Sequence, residues 1–225
     1  MSSERPDLPG NPPARVALFG GSFDPVHHGH LLLAQDALEE LALDLLVFVP
    51  AGINPHKLDS APQASAEHRL AMLRECTSEE PRFLVDPLEL EREGPSFTVD
   101  TVETFRKRWP AARLFLLLGE DNVPKLSTWH RFADLQRWVT FVTFGRGTPE
   151  NPAPLPEPAE PPFLGPRLRR RVDISSTEIR RRIAQDLPIR YLLPEPARLL
   201  IQSHALYKST DQRAAGNFLR PVSPQ

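Results

Sequence analysis

Disulfides, membrane spans and a bulk charge of either sign are what this sequence lacks. A single cysteine, Cys76, stands in 225 residues, so no intramolecular disulfide can form and a reducing compartment is the expected home. Within its helical pattern Cys76 reads as a small buried apolar residue. No run approaches the ~20 consecutive apolar residues of a membrane span, and the N-terminal MSSERPDLPGNPPAR has no apolar core of the signal-peptide kind. The expectation is a soluble cytoplasmic protein with no membrane partner. Net charge is small as well: 27 Lys and Arg against 29 Asp and Glu leave -2. That gives no general attraction to nucleic acid, so any anion site has to be local. The basic side chains are nearly all arginine, with lysine only at Lys57, Lys107, Lys125 and Lys208.

What is present is enough apolar residue, 40% of the chain, to bury one substantial core. Residues 1–14 are polar and proline-rich, which predicts a disordered leader. RVALF then reads as a strand buried on both faces. Leu31, Leu32, Ala34, Leu38 and Leu41 fall at helical spacing, and LLVFVP follows as a second strand. SAEHRLAMLREC predicts a helix with Ser65 as N-cap, RFLV a third strand, SFTVDTVETFRKRWP a helix stopped by Pro110, RLFLLLG a fourth strand and WVTFVTF a fifth. Alternating strands and helices predict a three-layer α/β fold, Rossmann-like, with an open and mainly parallel sheet and helices on both faces. Residues 145–166, rich in proline and acid, read as a surface insertion in a single domain of residues 15–207. RRVDISSTEIRRRIAQ resumes with a short strand, a cap and a helix, PEPARLLIQSHAL is the last helix, and residues 208–225 read as a loose tail. No internal repeat is visible.

The stretch FGGSFDPVHHGHLLLAQDALEEL sets turn-forming and ionisable residues between the first strand and the first helix. Gly20 and Gly21 allow a sharp turn and close backbone approach. His27 and His30, three apart at a helix start, can face one spot where backbone N–H groups and the helix dipole favour an anion. Gly29 keeps that approach open. His28 reads as packing or capping. Zinc ligation is the competing reading, but no further ligand cluster has suitable spacing. Ser22 is not set in a nucleophile elbow and belongs to the turn. A second such start is ISSTEIR, where Ser175, Ser176 and Thr177 offer hydroxyls and amides and Arg180 sits one turn on. An ordinary capping box explains SSTE equally well on its own.

GGSFDPVHHGH, with His27-His28-Gly29-His30, resembles the HxGH nucleotidyltransferase superfamily, and ISSTEIR resembles its second motif. VPAGINPHK, EREGPSFTVDT, LLGEDN and TWHRFADL narrow the resemblance to the bacterial nicotinate-nucleotide adenylyltransferase family, over Val16 to about Leu206. The resemblance implies transfer of the adenylyl group of ATP to nicotinate mononucleotide, giving nicotinate adenine dinucleotide and pyrophosphate, with Mg²⁺ accompanying ATP. It implies His27, His30, Lys57 and Arg180 as catalytic residues. ATP binding falls to Gly20, Gly21, Ser22, Phe23, His27, His30, Gly119, Asp121, Ile174, Ser175, Ser176 and Arg180. Nicotinate mononucleotide falls to Ser22, Asp24, Lys57, Thr98, Trp129 and His130, with the Trp129 ring stacking on the pyridine. Asp24 has an equal alternative in stabilising the turn before Pro25. The chain departs from the family pattern at Phe97, where tyrosine is usual, at Asn54, and at Glu120 in the GADN-like turn; residues 145–166 have no counterpart.

Two other readings stand beside this one. Phosphopantetheine adenylyltransferase shares the ATP half but gives no reason for the Trp129 and Thr98 segments. A nucleotide-binding regulator without turnover has no need to keep His27, His30, Lys57 and Arg180 together. A homo-oligomer is left open by the sequence.

Overall fold

The computed structural model describes residues 12–52, 61–145 and 164–208. Six strands make one parallel sheet: β1 (Arg15–Gly21), β2 (Leu45–Pro50), β3 (Phe83–Val85), β4 (Arg113–Gly119), β5 (Val139–Phe144) and β6 (Leu164–Arg167), in the order β3-β2-β1-β4-β5-β6. The helices are α1 (His28–Glu40), α2 (Ala66–Thr77), α3 (Thr98–Arg108), α4 (Phe132–Trp138), α5 (Ser176–Ala184) and α6 (Glu195–Ser203), with a 3₁₀ segment at Glu120–Thr128. Among the described residues, no helix is long and apolar enough to cross a membrane.

Strand periodicity divides the core into two layers. Ala17, Phe19, Phe48, Phe115, Leu117 and Val142 pack with the apolar faces of α1, α2, α5 and α6. Their strand neighbours Val16, Leu18, Val47, Leu116 and Phe141 pack with Val99, Val102 and Phe105 of α3 and with Leu135 of α4. Since both faces are covered, the central strands need apolar residues at successive positions. All six residues of β2 are buried. Local signals agree with these boundaries: the Ser65 hydroxyl accepts from the His68 N–H at 3.2 Å and starts α2, and α3 stops at Trp109, just before Pro110.

Three expectations need correction. RRVDI forms no strand; the sixth strand lies earlier, at Leu164–Arg167, within the stretch assigned to the insertion. It is an edge strand paired only with β5 and broken by a register shift between Phe141 and Thr143. Such an edge tolerates Pro166, and a Cβ at Gly165 would press on β5 at Thr140 and the Phe141 carbonyl. Trp138 closes α4 rather than opening β5. The 3₁₀ segment and α4 were not anticipated, because Pro124 interrupts the first and the second is only seven residues long. Residues 1–11 of the expected leader, 146–163 of the expected insertion and 209–225 of the expected tail lie outside the described residues.

Phe105 is fully buried between α3 and the sheet. Phe105→Ala is expected to lower unfolding free energy by about 3–5 kcal/mol in urea denaturation, whereas Leu199→Ala, at a half-exposed position, should stay within about 0.5 kcal/mol.

Candidate active site

The sheet reverses its winding between β1 and β4: the chain runs outward through β2 and β3 on one side and through β5 and β6 on the other. Loops leaving the carboxyl ends of β1 and β4 therefore diverge, which opens a crevice in a sheet of this order. Gly20 and Gly21 end β1 and Gly119 ends β4. Gly20 is exposed, and a Cβ there would meet nothing within 4 Å, so the protein's own packing does not require the glycine. At Gly119 a Cβ would press only on Oδ1 of Asp121, the far end of a side chain that can swing aside. Asp121 itself is exposed beside Asn122, whose amide donates to the Gly119 carbonyl at 3.2 Å.

Between β1 and α1 the chain turns tightly. Phe23 has φ of 47°, a left-handed conformation that is costly for a bulky residue. Its buried ring packs on Phe19, His30 and Phe48 with centroids 5.7, 4.9 and 5.8 Å away. Asp24 follows, 3% exposed. Its carboxylate accepts from the Gln63 and Ala64 N–H groups at 2.8 and 3.0 Å and from the Tyr207 hydroxyl at 2.8 Å. Of the two roles open to Asp24, these bonds fill the one in the turn. Burial, and the Asp24 charge beside it, push the Tyr207 phenol well above its ordinary value, so it stays a donor.

His27 and His30 come together as expected. Their rings stack with centroids 3.7 Å apart, and both are more than nine-tenths buried. The His27 N–H donates to Nδ1 of His30 at 3.2 Å. In the neutral ring that bond puts the His30 proton on Nε2, as a donor. Gly29 has a local cause too: a Cβ there would sit 2.9 Å from Nδ1 of His27 and 3.1 Å from Val172. His28, partly exposed, is tied in through its backbone, whose N–H donates to the Leu192 carbonyl at 3.1 Å.

The second motif lands on this turn. Ser175 caps α5 by accepting from the Glu178 N–H at 3.1 Å, one half of a capping box. Ser176, 151 residues from its partner, donates to the Pro25 carbonyl at 2.8 Å. Arg180 donates through Nη1 to the Asp24 carbonyl at 2.7 Å, and the same nitrogen is 3.7 Å from the Asp24 carboxylate. Ile174 packs against the core layer that holds α1. Two helix N-termini and an arginine thus converge on one short turn, an arrangement suited to a multiply charged anion.

A further group lies on the other side of β1. Phe97, the N-cap of α3, packs on His130 with ring centroids 4.6 Å apart, which brings the Thr98 and Trp129 segments together. Trp129 is partly buried against the layer that holds α3. Arg131, at φ 52°, ties this loop to α3 through Glu103 at 3.3 Å. Lys57 and His56 lie outside the described residues.

Four groups here escaped sequence reasoning: Arg69, Glu89, Arg131 and Tyr207. Only Arg69 left a signal. With Met72, Leu73 and Thr77 it forms the buried stripe of α2, so a guanidinium occupies a core position. Glu89 accepts from the Thr101 hydroxyl at 2.7 Å, and burial raises its carboxyl above the ordinary range.

Comparison with known proteins points one way. A cytidylyltransferase-like family model matches residues 18–182. The chain is 46% identical over 204 residues to the probable nicotinate-nucleotide adenylyltransferase of Gemmatimonas aurantiaca, covering 89% of this chain and 96% of that one. Its identity to the Thermus thermophilus protein of the same name is 43% over 195 residues, 86% and 100% of the two chains. Among solved structures it resembles Plasmodium falciparum nicotinic acid mononucleotide adenylyltransferase complexed with NaAD, with a TM-score of 0.66 at 17% identity over 86% of this chain and 97% of that one. At that identity the likeness shows the fold.

A carboxyl whose folded pKa is raised contributes stability that is complete below its unfolded value of about 4.3 and is lost as pH rises through the folded value. Glu89→Gln is therefore expected to raise the melting temperature at pH 7 and to leave it nearly unchanged at pH 4. A lower melting temperature at pH 7 would show that the ionised carboxylate is stabilising instead.

Proposed function

The chain belongs to the nicotinate-nucleotide adenylyltransferase family, and on that premise we propose how its residues transfer the adenylyl group of ATP to nicotinate mononucleotide. The products are nicotinate adenine dinucleotide and pyrophosphate. What carries the reading is the junction of the two motifs, Ser176 on Pro25 and Arg180 on Asp24, at the carboxyl end of β1. The ATP phosphates lie there, against the backbone of Gly20 to Phe23 and the N-termini of α1 and α5.

The 5′-phosphate of nicotinate mononucleotide attacks the α-phosphorus of ATP in line. A bond forms from a 5′-phosphate oxygen to that phosphorus, and the bond to the bridging oxygen breaks with its electrons leaving on pyrophosphate. No enzyme nucleophile and no proton transfer are required, so catalysis is positioning together with stabilisation of developing charge. His30 donates from Nε2 to the α-phosphate, with His27 beside it. Arg180, Lys57 and the N-terminus of α5 at Ser175 and Ser176 take the triphosphate. The Ser176 hydroxyl is already donating to Pro25, which leaves its backbone amide as the donor for that task. Gly119 and Asp121 meet the adenosine, Asp121 accepting from ribose. Thr98, Trp129 and His130 receive the pyridine nucleotide, with Ser22 near its phosphate.

Among the described residues, no three His, Cys, Asp or Glu side chains stand close enough to cage a metal. A hard ion that keeps its waters and is held by phosphate oxygens needs no such cage, and we assign Mg²⁺ to the bound ATP, where it neutralises phosphate charge. The compartment is cytoplasmic on this reading. Burial pushes the lone Cys76 thiol up to about 11, which keeps it protonated and inert in a reducing cell interior.

The test is pyrophosphate release from ATP and Mg²⁺ with nicotinate mononucleotide, nicotinamide mononucleotide or phosphopantetheine as acceptor. Turnover is expected with nicotinate mononucleotide; none with either pyridine nucleotide would sink the reading. His30→Ala should lower kcat about 10²–10³-fold, the loss that follows removal of one such donor, and should cost folding stability far less. Parallel losses of both would reduce His30 to a packing residue.

A further inference from the structure

Arg69 sits in the buried stripe of α2 and is 4% exposed. Leucine or methionine would fill that position without the desolvation that a guanidinium suffers. Burial does pull the Arg69 pKa below its ordinary value, while Asp24 and Tyr207 draw it back up. Its Nη1 donates to two carbonyls, that of Ser22 at 2.8 Å and that of Ala51 at 3.0 Å. Both belong to the loops leaving β1 and β2, which are themselves joined where the Ala51 N–H donates to the Gly21 carbonyl at 2.8 Å. Residue 23, between Ser22 and Asp24, holds the left-handed conformation. The carbonyl before it is held by Arg69 and the carbonyl of the residue after it by Arg180.

We propose that Arg69 is a positioning residue for adenylyl transfer: by holding the Ser22 carbonyl it keeps Phe23 left-handed and sets the direction of the phosphate-binding turn. The link is covalent geometry. In a planar trans peptide the C=O of one residue and the N–H of the next point in opposite directions. Fixing the Ser22 carbonyl on Arg69 therefore fixes the Phe23 N–H, one of the backbone donors assigned to the ATP phosphates. Arg180 holds the Asp24 carbonyl two residues later, where the following Pro25 has no N–H to orient, and also contacts the substrate; Arg69 is turned to the protein alone. Without the α2 guanidinium, the Ser22–Phe23 peptide can rotate toward a relaxed conformation, and the donors no longer meet the α-phosphate in register. The inference rests on the phosphate role given to this turn under the proposed function.

The experiment compares Arg69→Met, Arg69→Gln and Arg69→Lys with the full-length protein, measuring kcat and KM per folded molecule and the melting temperature. Arg69→Met is expected to lower kcat about 10²-fold, the scale on which a displacement of roughly 1 Å acts, with KM for nicotinate mononucleotide changed less than about threefold, since the pyridine segments are untouched. Arg69→Lys, which keeps a charged donor, should recover at least about tenfold of the loss. If Arg69→Met does not fold, Arg69→Gln takes its place, with the same direction expected. A kcat per folded molecule within about twofold of the parent, for the Met variant or its Gln substitute, would make Arg69 purely structural and overturn the proposal. So would an equal fall in Arg74→Met, which removes the exposed arginine of the same helix. Absence of turnover in the parent protein itself would instead count against the function, which keeps the two failures apart.

Discussion

The carboxylate of Asp24 is the point on which the rest of the molecule's active end depends. A buried carboxylate is expensive unless its lone pairs are used. Here they take two backbone N–H groups at the entry to α2 and the hydroxyl of Tyr207 beyond α6. Arg180 of α5 approaches from a third direction. Three segments remote in sequence are thus fastened to one residue in the turn between β1 and α1. That turn carries the glycines and leads directly into His27 and His30, so it is held rigidly where a loop would ordinarily be mobile. Electrostatic catalysis needs donors that do not reorganise as charge moves, and this fastening supplies that property.

Topology gives the turn its address. Between β1 and β4 the sheet order reverses, and the residues with ligand-facing chemistry sit at the carboxyl ends of those strands. The triphosphate side, on the proposed reading, is formed by α1 and α5, whose N-termini meet at the turn of Asp24 and Pro25. Across the sheet, the contact of Phe97 with His130 unites the start of α3 with the loop before α4. On the proposed reading, one substrate is served by the layer holding α1, α2, α5 and α6, the other by the layer holding α3 and α4. That reading brings their reacting groups together above the carboxyl ends of β1 and β4. The departure at Phe97 keeps the ring that makes this contact and omits only a hydroxyl.

Much of this was legible in the sequence because parallel sheets buried on both faces write continuous apolar runs, and β1, β2, β4 and β5 do so. The first connection was legible because glycine, proline and paired histidines rarely serve packing alone. Other features were hidden for physical reasons. β6 contains a Gly-Pro pair that only an unpaired edge tolerates, so its local composition resembles a loop. The seven residues of α4 are too few to show a helical period. Nothing along the chain announces that Tyr207 would reach Asp24 across 183 positions, since a hydrogen bond so remote in sequence leaves no local pattern. Arg69 was visible as a charge in an apolar stripe, but its partners are backbone carbonyls, which every residue possesses. Asp24 itself admitted two roles, and only the positions of Gln63, Ala64 and Tyr207 show the one in the turn to be filled.

Positioning without covalent participation by the protein is the core of the account, and the stereochemistry at phosphorus tests it most directly. Adenosine 5′-(α-thio)triphosphate of one configuration would be turned over with nicotinate mononucleotide, and the configuration of the α-thio dinucleotide determined. A single in-line displacement predicts inversion. Retention would require two displacements through an enzyme-bound adenylyl group, and would contradict a site built from donors and a rigid turn alone.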